Sequence, residues 1–329
     1  MVRLRCTKTV SVVLLLISAV PLSILISLEL STSTSAYPYH SRGWLRECAK
    51  WDDLGRRFLI TTYSDGGLAQ IRVPPESERE DAPPFEEEVV LRDADVAGNT
   101  SLGLAIDRVR GRVLVVYADP NRFRHGALAA YRVDTWDRIF LTWLALPGDE
   151  PSLADDVAVD AEGNAYVTDA ISSKIWKVGP DGDLLSTIRS PVFYQRKQWY
   201  RKVIGLNGIV YHPNGYLLVV HTLGGDLFKV DVKTEEVSLV NLVSGSLLFG
   251  DGMEILSPTK IVVAGSWPSG RVVESIDDWG SGRVVGRYVG PVHRMATAVT
   301  VKDGKVYLSH LFGAGKHVIV EAVFDGVGG

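Results

Sequence analysis

One recurring stretch limits the possible folds more than any other feature of the chain. Residues 205–231 read GLNGIVYHPNGYLLVVHTLGGDLFKVD. A polar Asn207 precedes a short apolar strand over 208–211, and Pro213-Asn214-Gly215 makes a turn. A β-rich run follows at 217–221, then a Gly-Gly turn, then a third strand over 227–230 that ends on Asp231. Apolar and β-branched runs bounded by Asn-Gly and Gly-Gly dipeptides are strand and turn signals. The same template fits 47–73, 102–134, 155–182, 251–277 and 297–323, and the residues between copies, such as 89–92 and 236–242, supply a fourth strand. Repeats of roughly 45–55 residues have the size of a four-stranded propeller blade. The expected fold is therefore all-β, a six-bladed β-propeller over residues 37–329, preceded by an N-terminal hydrophobic targeting segment.

That segment spans residues 1–36. Arg3, Arg5 and Lys8 precede an uncharged apolar run from Thr9 to Leu28, and a Ser/Thr-rich exit ends at Ala36. This is the pattern of a signal peptide. The run is also long enough to serve as an uncleaved signal anchor. Either way the propeller is expected in the secretory pathway, extracellular, luminal or membrane-anchored. The sequon Asn99-Thr100-Ser101, read as a polar loop between blades, suits a glycoprotein of that compartment. A net charge of −4 leaves no basic surplus, which argues against a nucleic-acid partner. Outside the leader only Cys48 remains, so no internal disulfide is expected, and its place in the first inner strand points to a buried structural thiol. Two loops stand apart: 74–88, acidic and Pro-rich, reads as a solvated excursion, and 193–202, aromatic and basic, as an exposed loop, lid or membrane-surface contact.

When the copies are aligned on the first residue of their first strand, the set is Glu47, Leu102, Asp155, Asn207, Asp251 and Thr297. Inner strands of a propeller flank the central channel, so these side chains can converge at one end of it. Glu47, Asp155, Asn207 and Asp251 carry oxygen donors of the kind that hold hard cations such as Ca²⁺. No His or Cys shares the alignment, which disfavours zinc. Taken singly, Asn207-Gly208 and Asp251-Gly252 are ordinary turn dipeptides; the repeated placement is what makes them a candidate site. The ends of the second strands add Tyr63, His125, His221, Trp267 and His310, of which His221 and His310 occupy matching places.

Glu47 with Trp51-Asp52, the Leu206-Asn207-Gly208-Ile209 run with its Pro213-Asn214-Gly215 turn, and Gly250-Asp251-Gly252-Met253 together resemble the senescence-marker-protein/gluconolactonase and paraoxonase superfamily of calcium-dependent propellers. The resemblance covers nearly all of the chain after residue 40. It implies that Glu47, Asn207 and Asp251 are metal ligands. The fourth ligand of that family is the Asn of an Asn-Asp pair, for which this chain has Asp155-Asp156. The change adds a negative charge, which strengthens cation binding and lowers the electrophilicity lent to a substrate carbonyl. Strictosidine-synthase-like propellers are similar in fold but use a late-blade Glu, and residues 297–311 contain none. No nucleophile elbow of the Gly-x-Ser-x-Gly kind serves a strand-to-helix turn. The expectation is a Ca²⁺-dependent hydrolase of small lactones, esters or phosphotriesters, with Asp251 as general base or nucleophile and His221 or His310 as proton shuttle. The alternative is a non-catalytic, NHL-like binding propeller whose metal is structural or absent.

Overall fold

The computed structural model describes residues 36–64, 66–75, 84–194 and 203–326. Residues 1–35 of the expected targeting segment and most of the aromatic-basic loop, 195–202, lie outside the described residues, as do 76–83 of the acidic loop.

The described chain opens with β1 (Ala36–His40) and then lays down antiparallel units, each winding from an inner to an outer strand. The first holds β2 (Ala49–Asp52), β3 (Arg57–Thr61) and β4 (Gly67–Arg72); after β5 (Phe85–Glu86), β6 (Glu88–Arg92) completes it. The second runs β7 (Thr100–Asp107), β8 (Arg112–Ala118), β9 (Gly126–Arg132), β10 (Arg138–Ala145). The third runs β11 (Ala154–Val159), β12 (Ala165–Asp169), β13 (Ile175–Val178), β14 (Leu184–Ile188). The fourth is β15 (Leu206–His212), β16 (Tyr216–His221), β17 (Asp226–Asp231), β18 (Val237–Ser244). The fifth is β19 (Gly250–Ser257), β20 (Lys260–Gly265), β21 (Gly270–Glu274), β22 (Ser281–Tyr288). The last is β23 (Ala296–Lys302), β24 (Lys305–His310) and β25 (Lys316–Glu321), and β1 returns as its outer strand, with Ala36 opposite Val320 and His40 opposite Lys316.

The first strands touch in cyclic order, β2 to β7, β11, β15, β19, β23 and back to β2, which closes the units into a propeller. An apolar layer fills each gap between neighbours. Val115 and Leu59 meet in one, Leu114 and Val167 in another, Leu217 and Ile175 in a third. Middle strands are therefore buried on both faces. That is why RFLIT in β3 and RVLVVYA in β8 read as near-continuous apolar runs instead of alternating. The outer strands β6, β10 and β18 are more exposed, made mostly of exposed and half-buried positions.

Several local expectations change. Ala36, assigned to the leader, is the first residue of β1. The acidic loop is not solvated throughout: β5 pairs in parallel with β1, and Glu87 is buried against Arg46, with side-chain exposures of 4% and 3%. The sequon straddles the connection between the first two units, where half-buried Asn99 lies as expected, and the start of the next strand. Thr100 and Ser101 begin β7 and are buried, and the Asn99 side chain donates to the Val96 carbonyl. Of the described residues in the loop that starts at 193, Phe193 is buried against Phe228. Cys48 is buried as expected, and burial pushes its thiol up, which keeps it protonated.

Candidate active site

Each inner strand after the first carries one extra residue where it enters the ring. The pairing slips between Ser101 and Leu104 in β7, Ala154 and Val157 in β11, Leu206 and Ile209 in β15, Gly250 and Met253 in β19, and Ala296 and Ala298 in β23. Leu102, Asp155, Asn207, Asp251 and Thr297 all fall inside these bulges. A bulge leaves its extra residue out of the ladder and re-aims the side chains beside it, and such devices cluster next to active sites. The alignment on first strands thus located a structural device that turns one residue per unit out of regular pairing. Glu47 is the exception, two residues ahead of β2, where Cys48 exchanges hydrogen bonds with Thr61.

The residue after each of Leu102, Asn207 and Asp251 is glycine for a steric reason. A Cβ on Gly208 would stand 2.2 Å from the Asp251 carbonyl oxygen, and one on Gly252 would stand 2.6 Å from that of Thr297. On Gly103 it would meet the Asp155 carbonyl at 2.7 Å. Inner strands pass so closely that only hydrogen fits between them. In the third unit the place is taken by Asp156, whose carboxylate accepts from its neighbour Val157 N–H at 2.9 Å and from Ile209 N–H at 3.3 Å. Asp156 is thus a tie between the third and fourth units. Hydroxyls add further ties: Thr168 Oγ1 donates to the Asn207 carbonyl at 2.7 Å, Thr222 Oγ1 to Gly250 at 2.8 Å, and Thr297 Oγ1 to Glu47 at 2.5 Å. Backbone positions around the ring are therefore fixed by neighbours on both sides.

The predicted carboxylates are close enough to raise one another's proton affinity. Burial, then the charges of Asp251, Asp155 and Asp156, push Glu47 well above the usual carboxylate range. Burial, then Asp251 and Asp156, do the same to Asp155. Asp251 is pushed up to about 7 by burial and Asp156, against a hydrogen bond from the Asn207 side chain that favours its charged form. Glu47 Oε2 is buried without a hydrogen-bond partner. The positive charge that acts on Glu47 is Lys50, which reaches across the channel to Glu254 at 3.0 Å and to the Val299 carbonyl at 2.8 Å. Burial alone would depress this ammonium, but Glu254 holds it above its ordinary range. Lys50 and Glu254 also line a cavity of about 340 Å³ further along the channel, walled by Ile106, Val159, Tyr211 and Ile255. The bridge therefore stands between that cavity and the carboxylate end.

The remaining sequence-predicted residues are placed less uniformly. His221 and His310 do occupy matched positions, opposite Leu206 and Ala296 at the ends of β16 and β24, and both are buried. His221 Nδ1 accepts the Gly224 N–H at 2.9 Å, and its ring faces Phe228 on the third strand of the unit. Tyr63 is half-buried with φ 56°, and burial followed by Glu47 and Asp155 keeps its phenol protonated. It belongs with the carboxylates, a position that its sequence neighbourhood did not distinguish from the other candidates. His125 sits edge-on to Trp143 on an outer strand, and Trp267 is exposed. Trp51-Asp52, part of the family resemblance, serves the scaffold: Asp52 pairs with Arg57 at 2.9 Å.

The donor set is all oxygen, and an orphaned buried carboxylate oxygen among three mutually repelling acids fits a hard cation in kind. A closed cluster is not preformed: among the described residues, no three His, Cys, Asp or Glu side chains are gathered into a group that could hold a metal ion.

No protein-family model and no curated protein matches the sequence. Solved structures do. The major allergen Mala s 1 of Malassezia sympodialis aligns at 15% identity with a TM-score of 0.68, over 88% of this chain and 96% of that one. A gluconolactonase from Xanthomonas campestris aligns at 13% identity and TM-score 0.55, over 86% of this chain and 88% of its own. A catalytically inactive virginiamycin B lyase from Staphylococcus aureus, solved with quinupristin, aligns at 11% identity and TM-score 0.55, over 86% of this chain and 82% of its own. At these identities the likeness is one of fold.

Proposed function

We propose that this propeller is a cation-assisted hydrolase of small lactones, esters or phosphotriesters, with Glu47, Asp155, Asn207 and Asp251 holding a Ca²⁺-type ion. The observation that carries the reading is the buried, unpaired Glu47 Oε2 within a set of carboxylates that raise one another's proton affinity. Such a set is stable at neutral pH only if it keeps protons or gains a counter-ion. The fold likeness to a gluconolactonase supports the same reading. Bound there, a hard cation supplies Lewis-acid polarisation of a carbonyl or phosphoryl oxygen.

The chain's own residues divide the remaining work. Asn207, whose side chain favours the charged form of Asp251, would help hold that carboxylate ionised. Asp251, held ionised beside a bound cation, is the carboxylate proposed to take a proton from an attacking water. Tyr63 keeps its proton and can donate a hydrogen bond from the rim. His221 and His310, one strand outward at matched positions, are candidates to carry the proton away. A secretory or external setting, proposed from the leader, would expose the site to the Ca²⁺ levels at which extracellular modules fill.

A second reading, a non-catalytic binding propeller, is favoured by the lack of a preformed three-residue metal cluster among the described residues. Ca²⁺ calorimetry on the wild-type protein beside Glu47→Gln separates the two. One site that is lost in the variant, together with ester turnover abolished by Asp251→Asn in a folded protein, is the expected result. Absence of Ca²⁺ binding in the wild type would sink the cation-assisted mechanism.

A further inference from the structure

The inner strands run on from the carboxylate end to a second space. Four residues beyond Asp155, Asn207 and Asp251 stand Val159, Tyr211 and Ile255, about 13 Å further along at about 3.3 Å per residue. With Ile106 they wall the cavity of about 340 Å³ whose lining also includes Lys50 and Glu254. That volume holds about eleven water-sized groups at about 30 Å³ each, enough for an organic molecule of about ten non-hydrogen atoms. Apolar walls around a few polar groups are the composition of a ligand site.

The hydrogen-bond inventory of those polar groups decides what such a molecule must bring. An ammonium has three protons, and Lys50 spends all of them: on Glu254 Oε2 at 3.0 Å, the Val299 carbonyl at 2.8 Å and the Met253 carbonyl at 3.4 Å. Arg108, the other cation of the lining, is engaged by Asp52 at 3.3 Å, Asp53 at 3.5 Å and the Trp51 carbonyl at 3.0 Å. Both cations are thus already compensated. Glu254 differs. Its Oε2 takes the Lys50 proton, its Oε1 takes no hydrogen bond among the described residues, and the side chain keeps 31% exposure. A carboxylate accepts about four hydrogen bonds, so Glu254 has capacity to spare.

The surrounding charge has the same sign. Asp156 lies near enough to act on both Lys50 and Glu254. At the wall, burial followed by the charges of Glu162 and Asp160 keeps the Tyr211 phenol protonated. Tyr211 also adds an aromatic ring, a surface that attracts cations.

We propose that this cavity is a second ligand site, separate from the carboxylate cluster, for a small primary ammonium with an apolar body. The ammonium donates to Glu254, which then bridges the ligand and Lys50, and the body lies against Ile106, Val159 and Ile255. A neutral molecule of the same shape loses the charge-assisted bond, which is about twice as strong as a neutral one. An anion meets Glu254 with both lining cations already paired.

Calorimetry on the wild-type protein with phenethylammonium, 2-phenylethanol and 3-phenylpropionate tests this. The amine should bind at one site per chain, at least tenfold more tightly than the alcohol, and the carboxylate should give no heat of binding. Glu254→Gln should weaken the amine at least tenfold. Ile106→Phe fills the cavity from an apolar wall and leaves the Lys50–Glu254 bridge in place, so it should do the same and carries the test if Glu254→Gln does not fold. Glu47→Gln, at the other end of the channel, should change amine affinity less than twofold, and saturating Ca²⁺ should not displace the amine. Equal binding of amine and alcohol overturns the assignment. So does an amine affinity that falls in Glu47→Gln and survives Ile106→Phe, which would put the amine among Glu47, Asp155 and Asp251. Absence of amine binding overturns it too and leaves the Ca²⁺-dependent hydrolase reading standing, since that rests on the opposite end of the channel.

Discussion

Glu87→Ala is the most informative single perturbation of the scaffold, because it removes one half of a fully enclosed ion pair beside the candidate site. Glu87 accepts two hydrogen bonds from Arg46, from Nε at 2.7 Å and from Nη2 at 2.6 Å. The same guanidinium donates to the Leu45 carbonyl at 2.6 Å, the Thr62 carbonyl at 2.8 Å and Ser41 Oγ at 2.6 Å. One side chain thus gathers the entry to the first unit, the turn after β3 and the inserted segment that carries β5. Without Glu87 the guanidinium keeps three neutral acceptors but loses its only carboxylate partner among the described residues. Removing one partner of a buried pair costs about 3–5 kcal/mol. At this chain length that corresponds to a Tm lower by about 6–10 °C, taking about 2 °C per kcal/mol. Calorimetric or fluorescence melting reads the shift. Glu87→Gln keeps an acceptor and loses the charge, so it should fall by about half as much. Arg46→Met/Glu87→Leu should recover part of the loss, because an apolar pair removes the uncompensated charge but abandons the three neutral acceptors. A Glu87→Ala stability within about 1 kcal/mol of wild type would refute the argument, since that is the range of an exposed pair.

Two further outcomes follow from the ring itself. Gly208→Ala places a Cβ 2.2 Å from a backbone oxygen of the next inner strand, which cannot rotate away. It should cost about 3 kcal/mol in denaturant unfolding, the upper end for overpacking, and a loss below about 0.5 kcal/mol would show that the strands can part freely. The pH dependence runs opposite to that of a typical acid-labile protein. In the cation-free protein Glu47, Asp155 and Asp251 hold protons that the unfolded chain has already released, so unfolding releases protons and stability falls as pH rises from about 4 through about 7. Melting should therefore be lower at pH 8 than at pH 5.5 without Ca²⁺, and added Ca²⁺ should raise Tm more at pH 8. A flat profile, or equal Ca²⁺ shifts at the two values, would count against a shared carboxylate site.

Local information sufficed where the physics is local. The turns at Pro213-Asn214-Gly215 and Gly224-Gly225 bound β15, β16 and β17 within one or two residues of their expected limits, because turn dipeptides and strand propensity act over a few neighbours. Asp155, Asn207 and Asp251 were legible as a set because the repeat places them at equivalent positions, and the structure puts each in the same bulge. Tyr63 could not be told apart from His125 or Trp267 in the sequence, since its approach to Glu47 and Asp155 depends on how the first and second units abut. The same limit hid Lys50, whose partner Glu254 is 204 residues away.

Ring closure marks the boundary most clearly. AYPYH places Tyr37 and Tyr39 at alternate, buried positions, but it is short, carries a proline and adjoins the apolar N-terminal run, so nothing local identifies it as the outer strand of the last unit. Its place follows from a global condition: once the inner strands close, β25 has an edge to fill, and the segment before the first unit is the one brought alongside it. Pairing there buries Tyr37 against Phe58 and Tyr307, which joins the two ends of the propeller through one apolar cluster. The amino-acid pattern determined the repeat, the strands and which residues fall at equivalent places in the inner strands. The tertiary structure decided which edges meet and which charges share a space, because those contacts join residues that are far apart in the chain and neighbours only in the closed ring.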